Sequence, residues 1–193
     1  MKIIAVNRKP GYPITSVHAI ELYPDSAPTA SGKPLFLPDF CEVFRGVVAP
    51  AYRISRLGKE IQPRFASRYY DALTLALRIF PENSPIMPNI ARPDIIKGFD
   101  GSIVLGSWQP LGQPGEPLSV TRDLQPMTQL PATKIDIDNV IASVAAFMTL
   151  KMGDIIIPCY IDTPVELPVG LKTDFSIAPS PGDTPPCLRI KIK

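Results

Sequence analysis

Short apolar runs, set apart by proline-rich polar stretches, dominate the pattern along this chain and predict strands more often than helices. Lys2-Ile3-Ile4-Ala5-Val6 has the continuous apolar character of a short buried strand. Val43 to Ile54 is rich in Val, Phe and Tyr and predicts a longer one. Pro50 falls inside it, and because proline cannot donate to a ladder it predicts an edge or a bulge there. Arg64 to Asp71 suits a helical turn, and Asp71 to Phe80 a second buried strand with Arg78 inside it. Ser102 to Trp108 and Ile155-Ile156-Ile157 predict two more strands, the latter entered through a Met152-Gly153-Asp154 turn. The tail Leu188 to Lys193 alternates apolar and basic residues, the pattern of a half-exposed closing strand. Only one segment has convincing helical period. Val140, Ile141, Val144, Phe147 and Met148 form an apolar stripe over 138 to 149, and Asp136 or Asp138 can cap its start. Residues 7 to 40 and 81 to 96 are broken by prolines and predict loops and short edge strands. With no internal repeat and no boundary signal, the pattern predicts one domain over 1–193 of mainly β, mixed α+β class.

Composition sharpens this picture. The 193 residues include 24 prolines against 12 glycines, more than twice the usual proline share of roughly 5%. Such density disfavours long helices and favours short strands joined by stiff loops. The net charge of +2 exerts no strong pull toward nucleic acid or an anionic membrane, so neither partner is expected. Met1 to Val6 is apolar for too few residues before Asn7, Arg8 and Lys9 to be an export signal, and no run approaches the roughly 20 residues of a membrane span. Cys41, Cys159 and Cys187 share no metal-ligand spacing and suit reduced thiols. These features predict a cytoplasmic chain.

The segment Pro50-Ala51-Tyr52-Arg53-Ile54-Ser55-Arg56-Leu57-Gly58-Lys59, followed by Arg64-Phe65-Ala66 and Tyr69-Tyr70-Asp71, resembles a segment of the smaller bacterial members of the fumarylacetoacetate hydrolase family. Further stretches in the same order are similar to that family: Pro24-Asp25-Ser26-Ala27, Gly32-Lys33-Pro34, Leu37-Pro38-Asp39-Phe40, Lys97-Gly98-Phe99-Asp100-Gly101-Ser102, and Phe147 through Gly153-Asp154 to Ile156. The resemblance spans most of the chain. It implies a rolled β-sandwich with few short helices and a homodimer. It also implies a site in which a Glu-x-Glu pair and an Asp hold a divalent metal. At the matching positions this chain has Val47, Ala49 and Arg78. Of the implied pocket residues, Lys97 is retained. The family's lid helix is missing, since Asn7 is followed by Arg8-Lys9-Pro10-Gly11-Tyr12-Pro13, and the hydroxyl-bearing turn after Gly153-Asp154 is replaced by Ile157-Pro158-Cys159-Tyr160-Ile161.

The departures fall on the chemistry. A hard divalent cation needs oxygen ligands, and Val47 and Ala49 offer none. A guanidinium at 78 would put fixed positive charge where the metal's charge lay. Metal-dependent catalysis is therefore not expected, and no cofactor is. Arg78 and Lys97 remain as a vestigial pocket that could hold a small carboxylate, with a structural ion pair as the competing role for Arg78. The expected function is that of a pseudoenzyme binding a small carboxylate or a protein partner. The alternative is an active hydrolase, decarboxylase or isomerase of 2-oxo or acylpyruvate-type acids, either with acids such as Glu42 or Glu82 reaching a metal or with metal-free chemistry around Arg78 and Lys97. His18 lacks a triad partner in the sequence. Asp136 and Asp138 suit a helix start better than a metal, and Cys159 suits a buried thiol better than a nucleophile. Arg45, Arg53, Arg56, Lys59, Arg64 and Arg68 suit a solvated face, and Trp108 a core or interface anchor.

Overall fold

Short β-branched runs between prolines become strands, as the pattern predicts. The computed structural model describes residues 1–7, 19–82, 97–111, 118–122, 125–130, 136–159, 164–168, 174–179 and 188–193. The strands are β1 (Ile3–Asn7), β2 (Ala19–Tyr23), β3 (Pro28–Ala30), β4 (Pro34–Leu35), β5 (Val43–Ile54), β6 (Tyr70–Glu82), β7 (Ile103–Leu105), β8 (Gln109–Pro110), β9 (Leu118–Arg122), β10 (Gln125–Leu130), β11 (Ile155–Cys159), β12 (Pro164–Pro168), β13 (Asp174–Pro179) and β14 (Leu188–Ile192). Two helices interrupt them, α1 (Pro63–Ala66) and α2 (Ile137–Ala145). Among the described residues, one mixed sheet runs β2-β1-β11-β5-β6-β7-β3, with β12 also on β5 and β8 on β6. The second sheet runs β10-β9-β13-β14-β4.

The β5–β6 pair is the axis of the larger sheet. It runs antiparallel from Val43↔Glu82 to Ile54↔Tyr70 and slips register once, between Arg53 and Ile54. Alternation along β5 sends Phe44, Val48, Tyr52 and Ile54 to one face and Ala49 and Ala51 to the other. The first face is covered in two places. Phe44 and Val48 pack with Leu77, Ile79 and Val104 against Leu188, Ile190 and Ile192 of β14, which joins the two sheets. Tyr52 and Ile54 pack with Ile4, Val6 and Ile156 against Val140, Ile141 and Val144 of α2. The opposite, inner face carries Ile3, Ala5, Tyr23, Ala49, Ala51, Ala76, Ile103 and Ile155.

Strand β5 passes through Pro50 without a break, and Pro50 marks neither the sheet's outer edge nor the bulge. On the side away from β6, β12 pairs with Val43 to Val47 and β11 with Tyr52 and Arg53. Among the described residues no strand pairs with 48–51 on that side.

Helix α2 starts as the sequence predicts. Asp136 caps it, accepting from the Asn139 amide at 3.2 Å. It ends before Phe147, which is exposed, because the chain must turn there to reach the bridge between Leu150 and Gly58, bonded in both directions at 2.8 and 3.0 Å. Gly153 adopts φ of +87°, the left-handed conformation this turn into β11 requires.

The same turn places a charge in the interior. Asp154 is 1% exposed and accepts from the Lys2 amide at 2.7 Å, the Lys151 amide at 2.8 Å and the Lys2 ammonium at 2.6 Å. Burial pushes its carboxyl up, but the Lys2 ammonium and the two amides outweigh that and hold it below the usual range. A depressed carboxyl contributes stability above its unfolded value and loses it as pH falls through the folded one. Asp154→Ala is expected to cost about 2 kcal/mol at neutral pH, by stranding two amides and an ammonium. The gap between the urea melts of wild type and variant should narrow in acid, where Asp154 is protonated in both states of the wild type and the charge-dependent share of its contribution is gone. An undiminished gap there would contradict this account.

Candidate functional site

The β5–β6 register decides what the three positions singled out in the sequence can do together. Val47 stands directly opposite Arg78, and Ala49, two residues along, stands opposite Ala76. Residues paired across a ladder share a face, as do residues two apart, so Val47, Ala49 and Arg78 form one contiguous spot on the inner face. Lys97, which precedes β7, reaches the same place.

What fills this spot comes from the far end of the sheet. The Arg78 guanidinium donates to the carboxylate of Glu21, to the Tyr23 hydroxyl at 3.2 Å and to the Asn7 side-chain oxygen at 3.0 Å. The Lys97 ammonium donates to the second oxygen of Glu21 at 3.2 Å, and the Tyr23 hydroxyl donates to the first at 3.0 Å. Asn7 belongs to β1, and Glu21 and Tyr23 to β2. In a flat sheet β2 and β6 would be four spacings, about 19 Å, apart, beyond any arginine's reach. The sheet must therefore roll until β2 lies over β6. The inner lining of alanines, Ala5, Ala49, Ala51 and Ala76, is small enough to sit within that roll.

The electrostatics follow from burial. The Arg78 side chain is 7% exposed, Glu21 23% and Lys97 34%, so the cluster is closed at Arg78 and open at Lys97. Burial pushes the Glu21 carboxyl up, yet Arg78 first and Lys97 second pull it the other way and leave it below the usual carboxylate range. Burial drives the Tyr23 hydroxyl far above its ordinary value, which keeps it a proton donor to Glu21 at any physiological pH. The guanidinium carbon of Arg78 also lies 5.3 Å from the Tyr23 ring centre.

This donor set does not fit a divalent metal. Two of the three implied ligand positions are hydrocarbon, the third is a cation, and among the described residues the carboxylate at this spot, Glu21, is engaged by Arg78 and Lys97. Among the described residues no group of three or more His, Cys, Asp or Glu side chains converges elsewhere. Glu82 is bonded to Arg45, and Glu42 is exposed.

The remaining candidates have structural roles or lie outside the described residues. Asp136 caps α2, and Asp138 accepts from the Tyr70 hydroxyl at 3.1 Å. Arg53 grips Asp71 with two bonds, at 2.9 and 3.0 Å, and lies over the Trp108 ring, which packs on the inner-face cluster. Arg64 and Arg68 flank the Phe65 ring, and Arg56 and Lys59 are exposed. The Cys41 thiol is buried against two backbone carbonyls. His18 and Cys187 lie outside the described residues, as does the side chain of Cys159.

No protein-family profile matches the sequence, and no curated protein does. Solved structures do match. 5-Carboxymethyl-2-hydroxymuconate delta-isomerase from Mycobacterium smegmatis superposes with a TM-score of 0.80 at 19% identity, over 99% of this chain and 78% of that one. 2-Hydroxyhepta-2,4-diene-1,7-dioate isomerase from Mycobacterium marinum gives 0.78 at 19% identity, over 99% and 73%. A protein from Yersinia pestis CO92 assigned to the fumarylacetoacetate hydrolase family gives 0.76 at 18% identity, over 100% and 92%. The rolled mixed sheet with few helices is thus the fold of fumarylacetoacetate hydrolase-family structures, and this chain has that fold.

Proposed function

We propose that the chain is a member of the fumarylacetoacetate hydrolase family that has given up metal-dependent catalysis and uses Arg78 and Lys97 to bind a small carboxylate. One observation carries this reading: the Arg78 guanidinium stands opposite Val47 and beside Ala49, so the spot the resemblance assigns to a metal holds a fixed cation. A guanidinium recognises a carboxylate through paired N–H donors, and a lysine adds a mobile point charge at the open end. The same resemblance favours a homodimer, and the reduced-thiol reading of the cysteines a cytoplasmic location.

The test is calorimetric titration of Mg²⁺ and Mn²⁺ into chelator-treated protein, with an intact family member as control. Binding in the control and none here is the expected result. Stoichiometric binding here would overturn the reading. The names of the structural neighbours, which include isomerases, favour a second reading, an active enzyme, here one acting on a 2-oxo or acylpyruvate-type acid by metal-free chemistry around Arg78 and Lys97. Turnover of such an acid that Lys97→Met abolishes would establish it.

A further inference from the structure

Each charged group of the cluster is already satisfied from within the chain, and this raises the question of how a ligand would enter. Glu21 places one carboxylate oxygen on Arg78 and the other on Lys97. Its carboxylate therefore makes the contacts that an incoming carboxylate would make. We propose that Glu21 is an internal stand-in for the ligand: it occupies the anion seat between Arg78 and Lys97, and a small carboxylate binds by displacing it. The proposal rests on the carboxylate-binding reading above and adds to it a gate.

Three observations point to a displaceable occupant rather than a simple counter-ion. First, Glu21 is partly exposed while Arg78 is closed in, so the carboxylate is the movable partner and the guanidinium the fixed one. Second, Lys97, at the most open corner, holds the oxygen of Glu21 that Arg78 does not, so the seat can be entered from its side. Third, the Tyr23 hydroxyl bonds both Glu21 and Arg78, and it can keep its bond to Arg78 and redirect its proton to another carboxylate. The described cluster holds two cations and one anion, so exchanging one carboxylate for another leaves its charge balance unchanged.

An internal competitor weakens binding by the fraction of time it occupies the seat. Removing it should therefore tighten affinity. Glu21→Ala deletes a fragment matching acetate, and acetate is the probe. Its affinity is measured by calorimetry on wild type, Glu21→Ala and Glu21→Gln at constant ionic strength. At least a ten-fold tightening in both variants is expected, with acetate raising the melting midpoint of Glu21→Ala by roughly 4 °C more than that of wild type. If Glu21→Ala fails to fold, Glu21→Gln, which keeps the shape and loses the charge, decides alone. Equal affinity in wild type and Glu21→Gln would overturn the proposal. That failure is distinguishable from failure of the carboxylate-binding reading, in which neither wild type nor either variant binds acetate.

Discussion

Arg78→Met is expected to destabilise the fold by about 3 kcal/mol, the low end of the range for stripping one partner from a buried ion pair. Methionine restores much of the volume but none of the charge. It leaves Glu21 with Lys97 as its remaining cation, and Lys97 is a third exposed and so a weaker counter-charge. It also leaves the Asn7 oxygen and the Tyr23 hydroxyl without the donor that each now has in Arg78. The surviving Lys97 contact is why the cost falls at the low end. The signature lies in the pH dependence as much as in the size. In the wild type Glu21 is held below the ordinary carboxylate range, so it contributes stability above its unfolded value and loses it as pH falls through the folded one. Without Arg78 that depression shrinks, and the acid limb of the stability profile should flatten. Urea unfolding at neutral pH and in acid measures both effects. A loss under about 1 kcal/mol with an unchanged acid limb would mean that the Arg78–Glu21 pair is incidental to the fold.

The distance between sequence and structure is uneven, and the reason is physical. The Asp136 cap, the apolar stripe at Val140, Ile141 and Val144 and the alternating tail are local patterns that became the elements they predict, whereas the stripe's continuation to Phe147 and Met148 did not, since the helix ends at Ala145. Pro50 was harder, because whether a strand has partners on both sides is set by distant segments and not by its own residues. The site divides in the same way. Val47, Ala49, Arg78 and Lys97 are singled out by the resemblance; the register puts the first three on one face, and Lys97 meets Arg78's partner Glu21. Asn7, Glu21 and Tyr23 were missed, since they join Arg78 only because the sheet rolls. The available signal was faint: an acid and a tyrosine two apart in Ala19–Tyr23 share a face, so a charge on that face needs a partner. Asp154 read as a turn residue, and its second role appeared only once β1 paired with β11 and brought Lys2 beside it.

Phe44→Ala is expected to cost about 4 kcal/mol and to reach the site from behind. Phe44 is fully buried on the face of β5 opposite Val47 and Ala49. Its ring meets Phe40 edge-on at 6.1 Å and Phe99 at 5.7 Å, and those two rings meet each other at 6.0 Å. Each side of this triangle is an edge-to-face contact worth roughly 1 kcal/mol beyond simple burial. Phe99 lies two residues after Lys97, so the triangle anchors the turn that delivers the ammonium to Glu21. Truncation to alanine removes two contacts and opens a cavity under that turn. Phe44→Leu fills most of the cavity but presents no ring, and its cost should fall only to about 2.5 kcal/mol, most of it the two lost ring contacts. Comparing the two separates volume from ring geometry. If Phe44→Leu retains acetate affinity at the Arg78–Lys97 seat while losing stability, the triangle serves the core alone. If affinity falls along with stability, Phe44 positions Lys97 through Phe99, which is the outcome that the geometry favours.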